Sequence, residues 1–181
     1  MDRKASARRQ SAAKSKQLRR AMALPLASDQ ADDIVLGYYL TLESLRAGTG
    51  NRYHIGSLAQ ATYMAMFLSQ ANHGAARPEL FRETEAAILR CREAGLGTGV
   101  WRLEDSACAL LAEVLRLFDQ QLKIAPVSAL KAANERLKKL FGRAENVAAD
   151  APHASGSSER TGGAATPFAS DIDIPPENPD S

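Results

Sequence analysis

Between Gly99 and Ala125 the chain repeats apolar side chains at intervals of three and four. Ala107, Leu110, Leu111, Val114, Leu117, Phe118 and Leu122 therefore fall on one broad face of a helix. A face that wide is unstable against water and must be covered by other helices. The flanking sequence supplies them, and no segment shows the alternation of a strand. The pattern predicts an all-α fold, a four- to five-helix up-and-down bundle.

Local punctuation places the other helices. A first helix is expected from about Asp29, capped by Ser28 or Asp29, burying Ile34, Val35, Tyr38, Tyr39, Leu42 and Leu45 before Gly48. Asn51 should cap a second, Arg52 to about Asn72, with Ile55, Leu58, Ala59, Thr62, Met66 and Phe67 inward. Pro78 suits the first turn of a third, because that position has no use for an amide donor. This helix should bury Leu80, Phe81, Thr84, Ala87, Ile88 and Cys91 and stop at Gly95. The central helix runs from about Glu104 to Ile124 and ends at Pro126. A fifth, about Ser128 to Phe141, would bury Leu130, Ala133, Leu137, Leu140 and Phe141. Short loops between helices of this length favour antiparallel neighbours.

Charge divides the 181 residues into three parts: an arm at 1–22, a helical bundle domain at 23–142 and a tail at 143–181. Residues 1–20 carry Arg3, Lys4, Arg8, Arg9, Lys14, Lys16, Arg19 and Arg20 against Asp2 alone, a net of +7. Residues 21–142 are balanced, and residues 143–181 carry −5. The modest overall +2 hides this polarity. The arm has almost nothing apolar and the tail is rich in Ala, Gly, Ser, Pro, Asp and Glu, so both are expected to be disordered, the arm at most transiently helical. Its eight cations on a pliant chain would neutralise phosphates and release counterions, a strong attraction blind to sequence. Nucleic acid, most simply DNA, is the expected partner and those eight residues the expected site. The arm also has the Arg-, Ser- and Ala-rich composition of an organelle transit peptide.

Other chemistry finds little support. His54, His73 and His153 lack metal-ligand spacing, so no metal is expected, and no cofactor motif occurs. GLGTG (Gly95–Gly99) follows a helix rather than a strand and lacks the lysine of a phosphate loop. The acidic pairs Asp32/Asp33, Glu83/Glu85 and Glu104/Asp105 suit helix starts and exposed faces better than acid–base catalysis. An enzyme is not expected. Cys91 and Cys108 read as small buried hydrophobes, and low cysteine use with no secretory signal favours the cytoplasm. No apolar run approaches the roughly 20 residues of a membrane helix. Trp101 reads as a plug that pins a loop onto the bundle.

The segments LPLA (Leu24–Ala27), YYLTLESLRAGTG (Tyr38–Gly50), AILRC (Ala87–Cys91), GVWRLED (Gly99–Asp105) and LLAEVLRLFDQQL (Leu110–Leu122) resemble short bacterial proteins labelled Fis-family transcriptional regulators. That resemblance implies a DNA-linked regulator. A Fis-type domain ends in a helix-turn-helix, and Arg136, Lys138 and Lys139 make the last helix here basic. Its predecessor is too long for the motif, so no base-reading residue is carried over. The alternative is a helical adaptor whose bundle takes a protein partner or a second copy.

Overall fold

The structure is a computed structural model that describes residues 14–75 and 77–149, with side chains as far as residue 142. Every regular element among the described residues is helical. Helix α1 covers residues 14–22, α2 Ser28–Arg46, α3 Arg52–Gln70, α4 Pro78–Thr98, α5 Asp105–Ile124 and α6 Val127–Ala149. Six helices stand among the described residues where four or five were expected. The additional one is α1, in the second half of an arm expected to be disordered or at most transiently helical. Arg3, Lys4, Arg8, Arg9 and His153 lie outside the described residues, as does most of the tail. The chain divides into two units, Met1–Leu137 and Lys138–Ser181.

In the first unit, α3 and α5 form the centre, each packing against α2, α4 and the other. Helices α2 and α5 run in opposite directions, whereas α3 and α5 run the same way, Gln121 late in α5 meeting Ala65 and Ser69 late in α3. Tyr38 of α2 meets Phe118 of α5 edge to face at 5.9 Å, while Asp32 near the start of α2 reaches Lys123 near the end of α5. Leu45, Leu58, Leu68, Leu111, Val114 and Leu115 are fully buried in this core. Burying one such side chain stabilises the fold by about 1.5–3 kcal/mol.

Helix ends follow the chemistry of their residues, with some departures from expectation. The Asn51 side chain accepts hydrogen bonds from the Tyr53 and His54 amides at 2.9 and 3.2 Å, the cap its position implied. The α2 cap is different. Ala27 occupies it without a side-chain bond, and Asp29 accepts instead from the Gln30 amide. Helix α3 ends at Gln70, short of Asn72, which takes a left-handed φ of +63°. Helix α4 runs through Gly95 to Thr98 and ends at Gly99, whose φ is +75°. Helix α6 continues to Ala149, into the stretch assigned to the tail. Leu130, Ala133 and Leu137 are buried as expected, whereas Leu140 and Phe141 are exposed.

Trp101 plugs the loop before α5, as its position suggested. Its indole lies over Gly95, where an added Cβ would sit 2.4 Å from the ring. The Leu103 amide then donates to the Leu45 carbonyl at 3.1 Å, which ties the loop to the end of α2. Gly50 fits beneath, where a Cβ would lie 3.0 Å from the Trp101 carbonyl oxygen. At the other end of the bundle, Gln121 of α5 is wholly buried against α3. Its Nε2 donates to the Ala65 carbonyl at 3.0 Å and to Ser69 Oγ at 2.9 Å.

Candidate nucleic-acid interface

Of the expected site, the structure describes Lys14, Lys16, Arg19 and Arg20, all exposed on α1. A helix turns by roughly 100° per residue, so Lys16 and Arg20 share one side while Leu18 and Met22 lie on the other. No carboxylate occurs between residues 14 and 22. The helix closes through hydrogen bonds from the Ala23 amide to the Arg20 carbonyl and from the Leu24 amide to the Ala21 carbonyl, both 3.1 Å. Leu24 then accepts from the Val127 amide at 2.9 Å, and Leu26 packs on the core. The cationic helix is thereby fastened beside the junction of α5 and α6.

The body adds fewer cations than the sequence suggested. Arg136 lies 4.2 Å above the Phe67 ring and donates to Gln70 Oε1 at 2.8 Å, so its guanidinium is engaged in holding α6 to α3. Lys138 and Lys139 are exposed in the second unit. Lys123 is shared between Asp32 at 2.7 Å and Asp119 at 2.9 Å, and these bonds push its ammonium above the usual value. A cation so paired offers little to a phosphate.

Other residues weighed for chemistry lie at helix ends, in side-chain pairs or in the core. His54 spends its backbone amide on the Asn51 cap, and the His73 amide donates to the Leu68 carbonyl. No group of three or more His, Cys, Asp and Glu side chains among the described residues could hold a metal. GLGTG ends α4 and makes the slot for Trp101. Asp32 belongs to the Lys123 pairing, and Glu85 accepts the Tyr63 hydroxyl. Burial pushes both the Cys91 and Cys108 thiols up, away from the reactive thiolate, and both stay unbridged. A shallow depression of about 90 Å³ above Cys91 is rimmed by Arg90, Arg102 and Glu104. It is smaller than the several hundred Å³ typical of small-molecule sites. Tyr38 and Tyr39 pack against the core, whereas Tyr53 is exposed beneath the Arg52 guanidinium.

No helix among the described residues is long and apolar enough to cross a membrane. Comparison with family models, with curated proteins and with solved structures found no match.

Proposed function

We propose that the protein is a non-enzymatic regulator that associates with nucleic acid, DNA first, by phosphate contacts from its N-terminal arm. One observation carries this reading. Lys14, Lys16, Arg19 and Arg20 stand exposed, without a carboxylate among them, on a helix fastened to the body by the Leu24–Val127 bond. Helical order brings the cations to a duplex with less entropy to lose than a loose chain would have. Arg3, Lys4, Arg8 and Arg9 extend the same charge. The sequence likeness to Fis-labelled proteins agrees with this class, and the protein is assigned to the cytoplasm on the same reading.

Retention on duplex DNA and on RNA across a salt series tests the proposal. With about four to seven phosphates neutralised, log–log salt slopes of roughly −4 to −6 are expected on duplex DNA. Replacing the eight arm cations by Gln in the full chain should abolish retention at low salt. Unchanged affinity in that variant would refute the proposal. The adaptor reading draws on a different observation, the exposed Leu36 and Leu40 of α2.

A further inference from the structure

The outward face of α2 carries a ridge made by Asp29, Asp33, Leu36, Leu40 and Glu43, spaced by four, three, four and three. Leu36 and Leu40 are 56% and 61% exposed, so two leucines one turn apart face solvent between carboxylates. Asp33 and Glu43 stand about 15 Å apart along the axis. Helix α1 has the complementary pattern. Leu18, 65% exposed, lies at its middle, with Lys14 and Met22 one turn to either side and Arg19 on the flank. Residues 14–22 span about 12 Å, enough to cover Leu36 and Leu40, about 6 Å apart, with the long side chains of Lys14 and Arg19 reaching beyond them toward the carboxylates.

Within one chain the two do not meet, since Lys14 to Arg20 are all exposed. Pairing of two ridges, antiparallel with Leu36 against Leu40, would set Asp33 opposite Glu43, which Arg46 already meets at 3.6 Å, and would leave the apolar side of α1 uncovered. We infer that the ridge is a docking surface for α1 of a second copy of this chain, given reciprocally so that a two-fold dimer contains two such contacts. The apolar side of α1 covers Leu36 and Leu40, and Lys14 and Arg19 meet the carboxylates. Lys16 and Arg20 lie on the opposite side of α1 and stay outward. The contact therefore needs no nucleic acid and leaves phosphate binding available, so either reading can fail without the other.

Sedimentation equilibrium of the nucleic-acid-free full chain tests the contact. At low salt the mass should rise with concentration from 19.5 kDa toward twice that value, and added salt should reverse the rise. Leu36→Asp with Leu40→Asp should hold the chain at the monomer mass, as should Leu18→Asp. These positions are exposed, and far-UV circular dichroism checks that the fold is kept. A charge exchange gives the sharper measurement. A chain with Asp33→Lys and Glu43→Lys, and another with Lys14→Glu and Arg19→Glu, should each be monomeric alone and dimerise when mixed. A wild-type chain that stays monomeric at every concentration overturns the inference. So does a dimer that survives Leu36→Asp with Leu40→Asp, or a mixture that fails to associate.

Discussion

Gly95 offers a measurement in which two opposed effects can be separated. On the buried side of α4, a Cβ at this position would lie 2.4, 2.5 and 2.7 Å from three atoms of the Trp101 ring. Ordinary contact begins at 3.4 Å, so helix or ring must give by about 1 Å in a loop already tied to Leu45. Overpacking of this kind costs about 1–3 kcal/mol. Against it stands the helical gain of Ala over Gly, about 0.5–1 kcal/mol. Gly97 lies two residues further along the same helix, with nothing within 4 Å of the added Cβ. Gly97→Ala should thus stabilise by about 0.4–1 kcal/mol. The backbone gain is common to both variants, so the gap between them isolates the clash at about 1–3 kcal/mol. Urea unfolding followed by the fluorescence of Trp101, the chain's one tryptophan, and by far-UV circular dichroism measures that gap. Gly95→Ala should also shift the emission to the red as the indole is pushed toward water. Equal midpoints and unchanged emission in the two variants would refute the packing argument.

Two further outcomes follow from single contacts. Asn51→Ala removes the side chain that accepts from two α3 amides and should destabilise the fold by about 1 kcal/mol, read from the same denaturation curves. Tyr63 is pushed up to about 12 by burial and then by its hydrogen bond to Glu85. Its folded value lies above the unfolded value of 10, so the folded state keeps the proton longer. The associated stability is complete below about pH 10 and is lost as pH rises toward 12. Tyr63→Phe should flatten stability over that window, and ultraviolet titration should lose its latest-ionising tyrosine.

The legibility of the helices varied with their place in the bundle. On α4 every residue expected inside is buried, Leu80, Phe81, Thr84, Ala87, Ile88 and Cys91, because the helix presents one face to the core. On α3 the expected stripe was too narrow. Ala61, Met64, Ala65 and Leu68 are buried as well, since this helix is covered by α2, α4 and α5. A stripe of period 3.6 describes a helix with one wet side, and α3 has little of one. Gln121 was invisible for the converse reason: a polar side chain reads as surface until Ala65 and Ser69 are brought to it. Of the candidate interface, the exposure of Lys14, Lys16, Arg19 and Arg20 agrees with the charge pattern. Arg136 does not act as charge counting suggested, because counting does not reveal the Phe67 ring beneath it. Helix α1 lay below legibility too, a nine-residue segment being marginal on propensity alone.

The amino-acid order alone determined that the body would be helical and roughly where its helices begin and end. Those signals act within one or two turns: apolar spacing, the Asn51 cap, Pro78 in a first turn, Pro126 after a last one. Tertiary structure alone decided which helices became central, that Gly95 is a slot for an indole and that Arg136 packs on a ring. Each of these joins residues separated along the chain, or surfaces formed only once helices exist, and no local rule ranks the partners available to them. The exposed ridge of α2 draws on both, because apolar spacing already leaves Leu36 and Leu40 off the inward stripe and the packed helices leave them uncovered.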